Sequence, residues 1–296
     1  YMDSIGEFNF CTPICFDSNS DGKDEVLIST TNVINDEFEH VLLQMLVNYA
    51  SFDNMTVVGF PSNARPHLIY GETKKDVYFQ DGDLARYVDG AYLLDPFYLA
   101  IQENKPTDFY CLKDIASDNF YESAYFRQYY QFSNLKDEVG YLFALKSGAY
   151  LHLSLASTID YQPEELAALK SFTPWLEVML HKQWSNLLDQ EQGRSEEVTM
   201  HNQLSVAFKN FGRSLLTDRE CEVARLILQG HSTKSMAVKL KLSIETIKVH
   251  RRNLYPKLDI SSQPELFSLF LESLALVATA EEKDPLIAYH SKSSKP

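Results

Sequence analysis

Glu245, Lys248, Val249 and Arg252 stand at i, i+3, i+4 and i+7, and on a helix that spacing makes one stripe. Two long cations, an acid and a small apolar group along such a stripe can read base edges in a DNA major groove. Lysine and arginine donate to guanine acceptors and valine meets a thymine methyl, each good pair discriminating by roughly 1–3 kcal/mol. Around the stripe, Thr233, Lys234, Ser243, Thr246, Arg251, Asn253 and Lys257 are expected to contact phosphates, which set position rather than sequence. Between His231 and Lys257 the chain carries seven Lys and Arg against one acid, Glu245, although its formal net charge is −14. Cation is concentrated where DNA would lie, and the acidic remainder would repel DNA from other surfaces. A solvated basic helix face is the plain alternative.

A second group interleaves acids with rings: Asp81, Asp83, Asp89 and Asp95 among Tyr78, Phe79, Tyr87, Tyr92, Phe97 and Tyr98. If one acid and two rings face inward, the pocket favours a cationic or amine-bearing ligand through ion pairing and cation–π attraction. Otherwise the rings are core and the acids solvated.

The elements that position the reading stripe have local signals at their ends. Thr217 and Glu220 form a capping box, Gly230 supplies a left-handed stop, and Val223, Ala224, Ile227 and Leu228 recur at helical spacing between them. A second helix begins at Ser232 with Met236, Ala237 and Leu240 inward, and a third at Ser243 with Ile247, Leu254 and Leu258 inward. Pro256, in the last turn of the third, removes a bond to the Arg252 carbonyl and should end or bend the helix. Ser262 and Glu265 start a fourth helix, whose Leu266, Phe267, Phe270, Leu271 and Leu274 either complete the domain's own core or meet a second copy.

The stretches LTDRECEVARLILQG, STKSMAVKL and SIETIKVHRRNLYPKL resemble the LuxR/GerE-type helix-turn-helix domain shared by NarL/FixJ response regulators and quorum-sensing receptors. The resemblance implies base-reading roles for Lys248, Val249 and Arg252, structural roles for Glu220 and Gly230, and a dimer contact on the fourth helix. A basic residue common in the family near Gln263 is absent. A homodimer is also expected energetically, since two short recognition helices a turn of DNA apart read an inverted repeat.

A length of 296 residues accommodates two domains. The polar stretch from Asp189 to Gln203 marks the break. The expected organisation is a sensor over 1–188, a linker over 189–213, the helix-turn-helix domain over 214–278 and a frayed tail over 279–296. The first part reads as an α/β/α sandwich with a central antiparallel sheet, of PAS or GAF type, giving an α+β chain with an all-α four-helix end. Glu37 to Tyr49 is an amphipathic helix, Met55–Phe60, Tyr141–Lys146 and Tyr150–Ser157 are strands, and a long helix starts near Pro163. Here DLARYVDGAYLLDPFYLAIQENKPTDFY and the later YYQFSNLKDEVGYLFALKSGAYLHLSLAS are similar to the LuxR autoinducer-binding domain. That similarity implies that Asp95 accepts a ligand N–H and that Tyr87 is a pocket aromatic. Where receptors of acyl-homoserine lactones carry a tryptophan, this chain has Gly82 and Asp83, so a different small-molecule effector is expected.

Phosphate-cradling glycine loops, nucleophile elbows and histidine pairs at metal spacing are missing, so neither an enzyme nor a metal or cofactor site is expected. Cys11, Cys15, Cys111 and Cys221 have no ligand or redox spacing. A phosphorylated receiver would need acids after a first strand, and Asp21, Asp24 and Glu25 follow no convincing one; a module that only dimerises or binds protein is the other alternative. The greasiest run, Leu266 to Ala280, carries Glu272, so a cytoplasmic protein without a membrane span is expected.

Overall fold

The computed structural model describes residues 8–10, 36–74, 83–131, 134–191, 195–275 and 284–293. Tyr78, Phe79, Asp81, Gly82, Cys11, Cys15, Asp21, Asp24 and Glu25 lie outside them, as does the side chain of Asp83.

Strands β1 (Phe8–Phe10), β2 (Asn54–Phe60), β3 (His67–Lys74), β4 (Asp108–Cys111), β5 (Asp137–Ala144) and β6 (Tyr150–Ser157) form one antiparallel sheet, ordered β1-β3-β2-β6-β5-β4. The helices around the sheet are α1 (Asp36–Leu46), α2 (Asp83–Val88), α3 (Pro96–Gln102), the single turns α4 (Leu112–Ile115) and α5 (Ala124–Phe126), α6 (Pro163–Ser171) and α7 (Thr173–Glu191). The expected central antiparallel sheet flanked by helices is therefore present. The helix foreseen from Pro163 is two helices, because Pro174 has no N–H for the Lys170 carbonyl. The Thr173 hydroxyl donates to that carbonyl instead, at 2.7 Å.

Alternation gives the two faces of the sheet different chemistry. One face is apolar: Met55, Val57, Val139, Tyr141, Phe143, Leu151, Leu153 and Leu155 pack against Leu42, Leu43 and Leu46 of α1, Leu169 of α6 and Leu176, Leu180 and Trp184 of α7. Val41 of α1 is 65% exposed, while Leu43 is fully buried. The other face sets Glu138, His152 and Ser154, all buried, among Val58, Phe60, Leu142 and Ala156. Over it lie α2, α3, α5 and the single π-turn Arg127–Gln131.

The chain continues as α8 (Ser195–Asn210), α9 (Asp218–Leu228), α10 (Thr233–Leu240), α11 (Ile244–Lys257), α12 (Gln263–Leu274) and α13 (Pro285–Ser293). Thr217 and Glu220 close the foreseen capping box, and Ser232, Ser243 and Ser262 each accept from the backbone N–H three residues on. Gly230 sits at φ +78°, and Lys241 at φ 56° turns α10 into α11. The helix α11 passes through Pro256 for one residue and is capped by Leu258.

The stretch read as a polar break is helical, with α7 and α8 covering most of it. Leu204 and Ala207 of α8, with Phe211 just after it, are buried. The expected frayed tail contains α13: Leu286 is fully buried, and Asp284 accepts from the Gly212 and Ser214 backbone N–H groups at 3.0 and 2.7 Å.

One core joins the halves. Leu204 of α8, Phe211 just after it, and Phe270 and Leu274 of α12 belong to the same buried cluster as Tyr92, Phe97 and Leu142 of the N-terminal half. Gly90, at φ +146°, has no side chain to obstruct Leu274, whose Cδ1 lies 2.6 Å from where a Cβ would be. The fourth helix therefore spends its wide apolar side within the chain, on α8, α9, α13 and α5.

Candidate functional site

Helix α11 presents the foreseen stripe. Glu245, Lys248, Val249 and Arg252 are all exposed, Val249 at 42%, while Ile247, Leu254 and Leu258 are buried on the other side. Lys248 donates to Glu245 at 2.8 Å, an exposed pair of little energetic weight that a base edge can replace. Of the residues expected at phosphates, Lys234, Ser243 and Asn253 are exposed and Thr246 is half-buried. Arg251 donates to the Thr233 hydroxyl at 3.1 Å, tying α11 to the first turn of α10. Lys257 is differently placed. Its ammonium donates to both oxygens of Glu220, a residue only 3% exposed, so the domain's own fold holds it where a phosphate contact is expected. Burial opposes ionisation of Glu220, but Lys257 and the Thr217 cap outweigh it and hold the carboxyl below its ordinary value.

A second candidate site lies between α2, α3, the π-turn and the polar face of the sheet. Asp95 is the N-cap of α3: one oxygen accepts from the Phe97 N–H and the other from the Tyr87 hydroxyl, both at 2.7 Å. Tyr87, Tyr92, Asp95 and Phe97 are thus brought together as the sequence leads one to expect. Phe97 stacks on His152 of β6 with centroids 4.2 Å apart, an approach that needs Gly140, where a Cβ would stand 2.6 Å from the Phe97 ring and 2.4 Å from the His152 Nε2. The Tyr92 hydroxyl shares a 2.9 Å hydrogen bond with His201 of α8.

Glu138, absent from the sequence-level site, is its second acid. It accepts from the Tyr130 and Ser154 hydroxyls. Burial, then the charge of Asp95, pushes its carboxyl up to about 8, and burial also raises Asp95. Burial lowers His152 to about 3, so it is neutral, and its Nε2 meets no hydrogen-bonding partner. Tyr129 links the rings, 6.4 Å from Tyr87 and 4.8 Å from Tyr125. Neither acid meets a lysine or arginine among the described residues. Glu138, His152 and Ser154 have a faint sequence signal: polar residues of one parity in strands whose other parity is mostly apolar, with Asp137 and Ser157 at the ends.

Two strands of chemistry thus coexist: an exposed basic reading stripe, and a buried site of two acids and several tyrosines. No group of three or more His, Cys, Asp or Glu able to hold a metal occurs among the described residues. No described helix is long and apolar enough to cross a membrane.

Residues 214–270 match the family model described as "Bacterial regulatory proteins, luxR family". The chain is 30% identical over 199 residues to a putative HTH-type transcriptional regulator in the exeN 3' region of Aeromonas salmonicida, covering 64% of this chain and all of that protein. It is 49% identical over 57 residues to the nitrate/nitrite response regulator protein homolog of Haemophilus influenzae, 19% of this chain and 27% of that one. Among solved structures, the LBD domain of VqsR from Pseudomonas aeruginosa is 27% identical and covers 51% of this chain and 88% of its own, with a TM-score of 0.44. With its helix-turn-helix and a relative matched along that relative's whole length, the chain belongs to the luxR family of DNA-binding transcriptional regulators.

Proposed function

We propose that the protein is a ligand-responsive regulator that reads an operator as a homodimer, with the buried acid and tyrosine site as its sensor. Lys248, Val249 and Arg252, with Glu245, read bases. Lys234, Thr233, Ser243, Thr246, Arg251 and Asn253 hold phosphates, and Lys257 serves the domain's own stability. The observation that carries the reading is the single core running from the sensor site into α12. A ligand that rearranges Tyr92 or Phe97 acts on side chains packed directly against the reader's support, and coupling of about 1–3 kcal/mol suffices for a useful switch.

The ligand this site suits is a small organic cation with an apolar body, and a lactone tail is the poorer match. Two buried carboxyls without a basic partner favour a positive nitrogen, and the faces of Tyr87, Tyr125 and Tyr129 add cation–π attraction. The test is a thermal-shift screen of the full chain with aryl and alkyl amines, each paired with the alcohol of the same skeleton, and with lipidic lactones. Amines are expected to raise the unfolding midpoint and change DNA affinity, and Asp95→Asn and Glu138→Gln to remove both effects. Stabilisation by the neutral alcohols or lactones alone would keep a sensor but reject a cationic ligand; no stabilisation by any of the three classes would reject the sensor.

A further inference from the structure

The turn between α4 and α5, residues 117 to 123, leaves the sensor and grips the reader. The Ser117 hydroxyl donates to the Gln229 carbonyl at 2.6 Å and the Asn119 N–H to the Gly230 carbonyl at 3.1 Å. The Asp118 carboxylate accepts from the Ser232 N–H at 2.9 Å and from the Ser232 hydroxyl at 2.5 Å. Ser232 is the N-cap of α10. Gly230 admits this approach: a Cβ there would stand 2.9 Å from the Ser117 Oγ and 3.0 Å from the Phe120 Cα.

We infer that this grip is an autoinhibitory lock, in which the Asp118 carboxylate occupies the anion position at the start of α10 that a DNA phosphate takes when the reader engages its operator. Three features place that position on the DNA-facing side. The start of α10 offers the Ser232 N–H and hydroxyl and the positive end of the helix dipole. Lys234 is exposed beside it, and Arg251, next to Arg252 of the reading stripe, is bonded to Thr233 in that same turn. A carboxylate there takes the Ser232 N–H and hydroxyl in place of a phosphate and repels the approaching backbone. Burial opposes ionisation of Asp118, but the bonds from Ser232 outweigh it and hold the carboxyl below its ordinary value, so the lock is charged at neutral pH.

The same turn runs directly into the sensor site. The Ser123 hydroxyl caps α5 by accepting from the Phe126 N–H. Phe120 packs edge to face on Tyr130 at 5.9 Å and against Tyr125 at 6.0 Å, and Tyr130 is the hydroxyl donor to Glu138. Only four residues separate Phe120 from Tyr125, so movement of these tyrosines is transmitted through Phe120 to Asp118. The inference itself rests on the docked geometry and stands whether or not a ligand is found.

The test measures binding of the full chain to a mixed-sequence DNA duplex by fluorescence anisotropy across a salt series, without effector. Asp118→Asn and Asp118→Ala are expected to tighten binding about tenfold, within the range typical of coupling between sites. Glu122→Gln removes the same charge four residues away, from a side chain 73% exposed and paired with Arg127, and is expected to leave affinity unchanged. Protease sensitivity is the second readout: unlocking should expose the 229–232 turn to cleavage in the Asp118 variants alone. Unchanged or weaker DNA binding by the Asp118 variants would overturn the lock. Equal gains from Glu122→Gln would also overturn it, by showing a general charge effect.

Discussion

Lys257 donates to both carboxylate oxygens of Glu220, at 2.8 and 2.7 Å, across 37 residues of chain. One acid therefore completes the cap of α9 and anchors the end of α11, just beyond Pro256. Glu220→Ala removes a cap and leaves an ammonium without its partner, and is expected to destabilise the reader by about 1–3 kcal/mol, read by urea unfolding.

The same geometry separates two lysines that composition treats alike. Lys234→Ala should weaken binding to every duplex about equally and reduce the slope of log affinity against log salt by about 1. Lys257→Ala should lower stability and leave that slope unchanged. A salt slope that falls on losing Lys257 would return it to the phosphate contacts.

Glu138 gives the fold a pH dependence of definite sign. Its carboxyl rises from 4.5 in the unfolded chain to about 8 in the fold, so between those values the folded state binds more protons and stability falls as pH rises. His152 acts oppositely: neutral in the fold and lowered to about 3 from 6.5, it loses stability as pH falls below 6.5. Between 4.5 and 6.5 the two slopes oppose each other. From 6.5 to about 8 Glu138 acts without that opposition, at up to ~1.4 kcal/mol per pH unit. Glu138→Gln is expected to flatten that limb in unfolding curves at pH 6.5, 7.5 and 8.5, and an unchanged limb would mean that the carboxyl is ionised in the fold.

Gly140 tests the packing of the sensor site. An added methyl meets His152 and Phe97 well inside contact distance, so Gly140→Ala should cost about 1–3 kcal/mol. Its effect should be larger than that of Gly71→Ala on β3, where the nearest neighbour is a Leu68 methyl at 3.4 Å.

The reader was legible because its signals are local: Thr217, Ser232, Ser243 and Ser262 each act within three residues, and the buried and exposed sides of α11 follow a fixed period. Tyr87 and Asp95 were legible as neighbours through a family likeness and through the interleaving of acids with rings. Glu138, His152 and Ser154 were not, because strand pairing brings them to α3 across 40 to 60 residues of chain, and no local rule says which parity faces the tyrosines. Asp118 and Ser232 are 114 residues apart, and Asp118 stands among ordinary turn residues, so nothing in sequence announces the contact. Lys257 was assigned to phosphate because charge is visible in sequence and its buried partner is not. Polar composition around Asp189 to Gln203 suggested a break where the chain is largely helical, and Leu204 and Ala207 of α8, with Phe211 just after it, are buried.

The role proposed for the exposed stripe of α11 is to read sequence. Selection of DNA sites from a random duplex pool by the full chain, repeated with Lys248→Ala and with Arg252→Ala, tests it most directly. The wild-type chain is expected to recover a two-fold-symmetric site, and each variant to lose preference at its own base positions, by roughly 1–3 kcal/mol per pair, while keeping it elsewhere. Recovery of the same site with undiminished preference by both variants would contradict that role.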